Sequence, residues 1–294
     1  MNLLLGASGY VGSAFEQHFK ANLIPYVTYP SFRFRFNERE FEKFVLTNKI
    51  KQIFNCTGFT GKPNVDSCEL IENKIPALEA NAFLPLQLHN ICRKFEIKLI
   101  QISSGCIYND TQCEKGLEPT HEFSEIDTPN FSFYQHKHSW YSGTKALGEQ
   151  LINCSSEYSN TLICRLRIPF NSVNNNRNYL NKVINYNTLL NATNSFSQLE
   201  EFVGACVDLS DNDYGGIYNL TQPGFMTTKE IVEMLKRYRV VSDKTFFRSV
   251  EDFEKITTAP RSNCVLDSSK AHRHGIELTP IHIAMEKAIA HYIH

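Results

Sequence analysis

The sequence lacks any apolar run long enough to cross a membrane, and it lacks a cluster of basic residues. None of its apolar stretches approaches the roughly 20 residues that a spanning helix needs. Thirty Lys and Arg residues nearly balance 31 Asp and Glu residues, for a net charge of −1, which argues against a nucleic-acid or membrane partner. The chain reaches Gly6 without a basic segment, so we expect no secretion signal and a cytoplasmic location.

Paired cysteine motifs are also missing. The nine cysteines are scattered, odd in number and without a CxxC spacing. This pattern predicts reduced thiols and neither a disulfide framework nor a metal site. The remaining composition, 294 residues with 42% hydrophobic, is that of a globular protein with one large domain or a domain with a smaller appendage.

A glycine-rich turn follows the first apolar stretch. Gly6, Gly9 and Gly12 have the spacing GxxGxxG between an apolar run and an amphipathic segment. In that context the first glycine permits a tight turn, the second lets the backbone approach a pyrophosphate, and the third lets the helix pack on its strand. We therefore predict that these glycines bind a dinucleotide cofactor; the alternative is a turn that binds no ligand.

Strand and helix signals alternate through the first half of the chain. The alternation predicts an α/β Rossmann fold with a doubly wound parallel sheet, in which ligands bind beyond the carboxyl ends of the strands. We predict an NADP(H)-binding domain over residues 1–168. Residues 169–294 are expected to form mostly a small α/β substrate-binding subdomain, with a strand near 215–220 that returns to the sheet.

The segment after the second predicted strand, "VTYPSFRFRF", contains no acidic residue before Glu38 but contains Arg33 and Arg35. Enzymes that prefer NAD usually place an acidic residue here, whereas an arginine accommodates the 2′-phosphate of NADP. We therefore predict NADPH over NADH, with Arg33 as a cofactor contact. The alternative is that these arginines only cap a solvated loop.

Three residues form a candidate catalytic group. Tyr141 and Lys145 are four residues apart and share one face if the segment is a helix. A cation close to a tyrosine favours the phenolate and lowers its pKa. Ser104 supplies a hydroxyl at the exit of an apolar strand, "IKLIQISS".

With these motifs the chain resembles the extended short-chain dehydrogenase/reductases that act on nucleotide sugars. The resemblance implies that Ser104 binds the substrate carbonyl oxygen, that Tyr141 gives it a proton, and that Lys145 holds the nicotinamide ribose. Asn81, in "EANAF", matches the structural asparagine of that family. The segment "RLRIPF" matches the one beside the nicotinamide carboxamide, which places Pro169 at the cofactor.

Four loop segments narrow the resemblance to the epimerase/reductases of nucleotide-rhamnose synthesis: residues 55–69, 123–133, 176–186 and 259–267. The last two are also similar to dTDP-4-dehydrorhamnose reductases. The Asp-Glu pair that 4,6-dehydratases carry after the catalytic hydroxyl is replaced by Gly105 and Cys106. The resemblance implies NADPH-dependent reduction at C4 of a nucleotide-diphosphate 4-keto-6-deoxyhexose, with prior epimerisation at C3 and C5, giving a 6-deoxy-L-hexose such as an NDP-L-rhamnose.

Epimerisation next to a ketone needs a base on one face of the sugar and an acid on the other. The resemblance assigns these roles to Cys106 and Lys182. The alternatives are a thiol that only fills space and a lysine that is only a solvated helix charge. If both alternatives held, the enzyme would be a plain 4-reductase.

The same resemblance implies substrate contacts by Asn64, Val65 and Asp66. Arg261, in "APRSN", is predicted to contact the diphosphate or the sugar because a guanidinium can bind phosphate oxygens bidentately; a structural salt bridge is its alternative. Members of the superfamily pair through helices beside the YxxxK segment, so a homodimer is expected. Two rival functions are a nucleotide-sugar 4-epimerase with tightly held NAD and a non-catalytic sensor of the NADP(H) ratio.

Overall fold

Strands and helices alternate along the first half of the chain in the computed structural model, which describes residues 1–29, 36–153 and 160–292. In chain order the elements are β1 (Asn2–Leu5), α1 (Tyr10–Ala21), β2 (Tyr26–Thr28), α2 (Glu38–Thr47), β3 (Gln52–Asn55), α3 (Ile71–Leu78), α4 (Leu84–Lys94), β4 (Lys98–Ser104), α5 (Thr111–Glu114), β5 (Glu122–Phe123), α6 (Trp140–Asn153) and β6 (Thr161–Leu166). Short 3₁₀ segments cover Val65–Glu69 and Gly105–Ile107.

The second half contains shorter strands and a few long helices. In order these are β7 (Pro169–Phe170), α7 (Tyr179–Asn185), β8 (Thr188–Leu189), β9 (Thr193–Asn194), β10 (Ser197–Gln198), α8 (Leu199–Asp211), β11 (Gly216–Asn219), β12 (Met226–Thr227), α9 (Thr228–Arg237), β13 (Thr245–Phe246), α10 (Val250–Glu254), β14 (Val265–Leu266), α11 (Ser269–Arg273) and α12 (Ile281–Tyr292).

A six-stranded parallel sheet with the order β2-β1-β3-β4-β6-β11 forms the centre of the fold. The predicted α/β Rossmann fold is therefore confirmed. β11 comes from the second half of the chain and pairs with β6 over residues 162–165. The order reverses at β1, which has β2 on one side and β3 on the other.

Helices cover both faces of the sheet because successive strand residues point to opposite sides. On one face, Leu4 and Phe54 pack in a cluster with residues of α1 and α8. On the other face, Leu3, Leu5 and Ile53 pack with residues of α2 and α4. α8 lies beyond residue 168 in the sequence but packs against α1, so the second half of the chain also covers the sheet.

A separate apolar cluster holds the rest of the second half together, with residues of α7, α9 and α12. α9 begins with a capping box, in which the Thr227 side chain accepts from the backbone N–H of Glu230 and the Glu230 side chain accepts from that of Thr227. The two reciprocal hydrogen bonds satisfy backbone N–H groups at the start of the helix.

The long helical stretch after β3 is not one helix. A 3₁₀ segment, α3, a π-helical turn over Glu79–Phe83 and α4 follow one another. Pro76 lies inside α3, and the π turn adds one residue to the backbone path at Asn81. The turn packs against α6 and so connects this stretch to the predicted catalytic helix.

Candidate active site

The turn between β1 and α1 has the backbone geometry that a dinucleotide phosphate requires. Gly6 has a φ of +77°, in the left-handed region that favours glycine. A Cβ on Gly12 would lie 2.0 Å from the carbonyl oxygen of Gly6, so α1 can pack this close only with glycine there. Gly9 is the N-cap of α1, where no side chain caps the helix and the first turn carries no acidic residue. The N–H groups and the helix dipole at this end can therefore bind a pyrophosphate.

This turn lies where the strand order reverses, which is the place where open α/β sheets bind ligands. A Cβ on Gly6 would lie 3.0 Å from backbone atoms of Cys56 and Thr57, so the exits of β1 and β3 are in contact. The two neighbouring strand exits together form the floor of the candidate cofactor site.

A hydrogen bond connects the loop that contains Pro169 to the first turn of α1. The Tyr10 hydroxyl, in the first turn of α1, donates to Oδ1 of Asn171 at 2.8 Å. Pro169 is two residues before that asparagine and begins β7. Its contact with the nicotinamide stays a prediction. Arg33, the predicted contact of the 2′-phosphate, lies outside the described residues.

The predicted catalytic hydroxyls meet at the exit of β4. Ser104 is the last residue of β4, and its hydroxyl lies beside that of Tyr141 on α6, close enough to act on the pKa of the tyrosine. Ser104 Oγ also accepts from the backbone N–H of Cys106 at 3.2 Å. Lys145 lies one turn after Tyr141, and its Nζ is 3.4 Å from the carbonyl oxygen of Ile102. The structure therefore brings together the three residues that the sequence separates by up to 41 positions.

Burial determines the protonation of this group. It raises the pKa of Tyr141 above the ordinary value, and the hydrogen bond with Ser104 opposes this rise without outweighing it. Burial also lowers the pKa of Lys145 to about 8. The spacing of Tyr141 and Lys145 predicts that the lysine lowers the pKa of the tyrosine. In the structure desolvation dominates, so the phenol is protonated at neutral pH, as a proton donor must be.

Asn81 fixes the loop beside the lysine. Its Oδ1 accepts from the backbone N–H of Phe59 at 2.9 Å, and its Nδ2 donates to the carbonyl of Phe59 at 2.9 Å and to Oγ1 of Thr144 at 3.0 Å. A Cβ on Gly58 would lie 3.3 Å from Nζ of Lys145. The asparagine thus holds the exit of β3 against α6, next to Lys145.

Cys106 lies two residues beyond Ser104 and is partly exposed. Its Sγ accepts from Nη1 of Arg167 at 3.0 Å. Between the two predicted catalytic residues, a Cβ on Gly105 would lie 2.6 Å from Cδ1 of Leu266 and 3.3 Å from Cδ of Arg167. Glycine is therefore the residue that lets the arginine side chain pass under the exit of β4 and reach the sulfur.

Lys182, on α7, is half-buried. Burial, and after it the charge of Arg177, lowers the pKa of Lys182, whereas Cys106 acts in the opposite direction. The thiol and the amine predicted to exchange protons with the sugar are thus close enough to interact electrostatically. Their catalytic roles stay predictions.

The predicted substrate contacts Asp66 and Arg261 bind each other. Nη1 and Nη2 of Arg261 each donate to one carboxylate oxygen of Asp66 at 2.8 Å. Asp66 also accepts from the backbone N–H of Ala259 at 2.8 Å, and Asn64 accepts from the backbone N–H of Asp66 at 2.8 Å. Of the two alternatives for Arg261, the structure contains the salt bridge. Contact of Asn64, Val65, Asp66 and Arg261 with a substrate stays a prediction.

Two arginines near the reacting groups were not predicted from the sequence. Arg167 lies within "RLRIPF", which was assigned only as a cofactor segment. Arg177 donates to the carbonyl of Gly61 at 2.5 Å, and its charge acts to lower the pKa of Tyr141. The only signal in the sequence was their presence in two segments that resemble family loops.

The described parts of the chain contain no helix with the length and apolar character of a membrane span. Within the same residues, no group of three or more His, Cys, Asp or Glu side chains has an arrangement that could hold a metal ion. The cysteines that the structure describes are all free thiols.

Comparison with known proteins assigns nearly the whole chain to one family. A family model described as the RmlD substrate binding domain matches residues 1–293. A bifunctional dTDP-4-dehydrorhamnose 3,5-epimerase/dTDP-4-dehydrorhamnose reductase from Arabidopsis thaliana is 32% identical over 288 residues, which cover 98% of this chain and 91% of the relative. A trifunctional UDP-glucose 4,6-dehydratase/UDP-4-keto-6-deoxy-D-glucose 3,5-epimerase/UDP-4-keto-L-rhamnose-reductase from the same plant is 36% identical over 237 residues. That match covers 79% of this chain and only a third (33%) of the trifunctional relative.

Solved structures share the fold. The crystal structure of a UDP-rhamnose synthase from Acanthamoeba polyphaga mimivirus superposes with a TM-score of 0.89 at 24% identity and covers 99% of both chains. A dTDP-4-dehydrorhamnose reductase from Bacillus anthracis, solved in complex with NADP, superposes with a TM-score of 0.78 at 16% identity, over 99% of this chain and 98% of that one.

Proposed function

The chain belongs to the RmlD substrate binding domain family, and from this premise we propose that it is an NADPH-dependent enzyme of nucleotide-sugar metabolism. The proposed reaction is reduction, at C4, of a nucleotide-diphosphate 4-keto-6-deoxyhexose, preceded by epimerisation at C3 and C5. The product is an NDP-6-deoxy-L-hexose with the rhamnose configuration. The names of the two plant relatives support both steps.

The half-buried, protonated phenol of Tyr141 beside Ser104 is the observation that carries the reduction. Ser104 holds the carbonyl oxygen of the substrate, and Tyr141 donates its proton to that oxygen. When bound, NADPH supplies the hydride that forms the new C4–H bond while the carbonyl π electrons move to oxygen. The phenolate that remains regains a proton from solvent, and Lys145 holds the nicotinamide ribose.

Proton exchange at C3 and C5 uses the same contacts of Ser104 and Tyr141 with the ketone oxygen. A base removes the proton next to the carbonyl, the electron pair becomes an enolate, and Ser104 and Tyr141 stabilise the enolate oxygen. Cys106 is assigned as the base and Lys182 as the acid on the opposite face, since the two side chains interact electrostatically. The depressed pKa of Lys182 makes its ammonium a stronger acid than an ordinary lysine.

Several features support NADPH as the cofactor. The Gly6–Gly9–Gly12 turn fits a pyrophosphate, and a related reductase was solved with NADP. Lys145 is the proposed contact of the nicotinamide ribose, and Pro169 is the proposed contact of the nicotinamide carboxamide. The contact of Arg33 with the 2′-phosphate and the pairing of two chains into a homodimer are parts of the proposal that rest on the sequence.

The test is to incubate the protein with NADPH and UDP- or dTDP-4-keto-6-deoxyglucose in deuterated water and to analyse the product by NMR. We expect one NADPH consumed per sugar, a 6-deoxy-L-hexose with the rhamnose configuration, and deuterium at C3 and C5. Tyr141→Phe should abolish reduction. Cys106→Ala should abolish the label while an already epimerised 4-keto sugar is still reduced.

A matched thiol variant separates the role of Cys106 from general damage. Cys264→Ser changes a neighbouring buried cysteine whose thiol donates to the carbonyl of Gly105, a bond that a hydroxyl can replace; it should keep the deuterium label. Label that persists in Cys106→Ala would remove the role assigned to this thiol and leave a plain reductase. Turnover without net loss of NADPH would instead indicate a 4-epimerase with bound NAD.

A further inference from the structure

Arg167 is a fully buried cation whose hydrogen-bond partners among the described residues carry no carboxylate. Its side chain is 1% exposed, and it donates to Sγ of Cys106 at 3.0 Å, to the carbonyl of Ser262 at 2.6 Å and to Oδ1 of Asn194 at 2.5 Å. Its Nε has no hydrogen-bond partner. Within residues 1–29, 36–153 and 160–292, no Asp or Glu forms a salt bridge with this guanidinium.

This set of partners is unfavourable for an arginine if Cys106 is a neutral thiol. A guanidinium stays charged in proteins, and burying an ion is costly unless an opposite charge compensates it. The sulfur of a thiol is only a weak acceptor, whereas a thiolate carries the missing negative charge and accepts a charge-assisted hydrogen bond. Cys106 is the group in contact with Arg167 that can supply this charge.

We propose that Arg167 is a positioning residue that holds Cys106 as a thiolate aimed at the sugar, so that the sulfur is ready to remove a proton. This inference rests on the proposed function, since it identifies what prepares the base of the epimerisation. In the step itself the C–H bond breaks, the proton goes to the sulfur, and its electron pair forms the enolate. The resulting thiol later returns its proton to solvent while Arg167 stays charged.

A second cysteine beside the same arginine shows that the geometry discriminates between thiols. Cys264 is fully buried and donates its S–H to the carbonyl of Gly105 at 3.4 Å. Burial raises the pKa of Cys264 to about 11, although Arg167 acts to lower it. Cys264 therefore stays a thiol, whereas Cys106 receives the guanidinium N–H and is open to the site.

Other ionisable groups face Cys106 from the packed elements. Tyr141 and Lys145 face it from α6, and Lys182 faces it from α7. Cys264, on which the charge of Asp110 also acts, faces it from the segment before β14. Of the groups whose charge changes little near neutral pH, Arg167 is the one in hydrogen-bond contact with the sulfur, so its removal has the largest expected effect on the thiolate.

The experiment measures the thiolate directly and needs no sugar. Iodoacetamide reacts with thiolates, so the alkylation rate of the peptide carrying Cys106 is followed by mass spectrometry from pH 5 to pH 10. We expect the half-maximal rate of the wild-type protein at least one pH unit below the ~8.5 of free cysteine. A midpoint at or above that of free cysteine would overturn the proposal even if no variant could be purified.

Variants then assign the effect to the arginine. In Arg167→Gln the midpoint should rise by at least one pH unit, which for a one-unit rise lowers the thiolate fraction up to tenfold at a pH below both midpoints, and Arg167→Lys should restore part of it. Cys264→Ser should leave the midpoint unchanged. Deuterium exchange into the sugar by Arg167→Gln should fall at pH 7 by the same factor as the thiolate fraction measured by alkylation, and should recover as the pH is raised. An unchanged midpoint in folded Arg167→Gln would refute the role.

The outcomes also separate this inference from the proposed function. A low midpoint in a protein that turns over no 4-keto sugar would refute the function and leave the Arg167–Cys106 pairing in place. Deuterium exchange in a protein whose Cys106 titrates like free cysteine would keep the function and refute the role of Arg167.

Discussion

Replacing Glu149 with glutamine would leave the guanidinium of Arg165 without its counter-charge in the centre of the fold. The two side chains are 5% and 2% exposed, and the carboxylate accepts from Nε of Arg165 at 3.0 and 3.1 Å and from Nη2 at 2.7 Å. Ser103 donates to the same carboxylate. Removing one partner of a buried ion pair typically costs about 3–5 kcal/mol. Because glutamine keeps one acceptor oxygen, we expect about 3 kcal/mol for Glu149→Gln.

The same change acts on the predicted catalytic lysine. Burial lowers the pKa of Lys145 to about 8, and the negative charge of Glu149, one helical turn further along α6, opposes that decrease. Glu149→Gln should therefore lower the pKa of Lys145 further. If Lys145 must be protonated to hold the cofactor, the alkaline limb of kcat/KM for NADPH lies near pH 8 in the wild type and moves to lower pH in the variant.

The sign of the stability effect of Lys145 follows from the same pKa. Above about pH 8 the folded lysine loses its proton, whereas in the unfolded chain it keeps the proton up to about pH 10.4. The unfolded state thus binds more protons in this interval, so the contribution of Lys145 to the free energy of unfolding rises with pH there.

The loss of unfolding free energy in Glu149→Gln is measured by urea unfolding, followed by the fluorescence of Trp140, the single tryptophan. Glu42→Gln is the matched control, because its ion pair with Lys94 lies at the surface and should be worth less than about 1 kcal/mol. The double variant Glu149→Leu/Arg165→Met should recover most of the loss, since no charge is left unpaired. The reasoning would be refuted if Glu149→Gln lost less unfolding free energy than Glu42→Gln. It would also be refuted if the alkaline limb of kcat/KM stayed at the wild-type pH.

Two further predictions concern close packing and the bridge between the halves of the chain. Gly148→Ala should cost about 3 kcal/mol of unfolding free energy or prevent folding, because its Cβ would lie 2.2 Å from the backbone oxygen of Asn81. Gly204→Ala is the control: its Cβ would enter open space, so it should stabilise α8 by roughly 0.5–1 kcal/mol. Urea unfolding that ranks the two variants in the opposite order would contradict this prediction. Asp66→Asn should cost about 1–3 kcal/mol at pH 7, because it leaves Arg261 without its carboxylate. Burial acts to raise the pKa of Asp66, but the hydrogen bonds from Arg261 outweigh burial and lower this pKa. The contribution of Asp66 to the free energy of unfolding is therefore lost only as the pH falls below about 4. A stability difference between variant and wild type that vanished by pH 5 would argue against the assignment.

The parts of the fold that were predicted depend on local sequence. The glycine turn and the alternation of apolar runs with amphipathic segments each involve a few consecutive residues whose conformational preferences agree. The break at Asn81 has a weaker local signal. A π turn requires one extra residue in the helix, and here the side chain that occupies it is fixed by Phe59 and Thr144, which come from other elements.

The site residues that could be predicted from the sequence are those that belong to family motifs. Ser104, Tyr141 and Lys145 were placed together by spacing and resemblance, and the structure places Ser104 beside Tyr141, with Lys145 one turn further along α6. Arg167 could not be predicted because its function depends on what surrounds it. An arginine in a strand-to-loop segment is commonly solvent-exposed. Only the three-dimensional structure reveals that its partner lies 61 residues away and that no carboxylate of the described residues forms a salt bridge with it.

The packing at Gly105 restricts how this scaffold could acquire a different reaction. The space that a side chain would occupy there is filled by Leu266, which is held in place by the pairing of β14 with β5. Installing the acidic pair of a dehydratase at the exit of β4 would therefore require redesign of a strand 160 positions away in the sequence. A route from this enzyme to a dehydratase by stepwise substitution would have to begin in the C-terminal segment and reach the catalytic loop last.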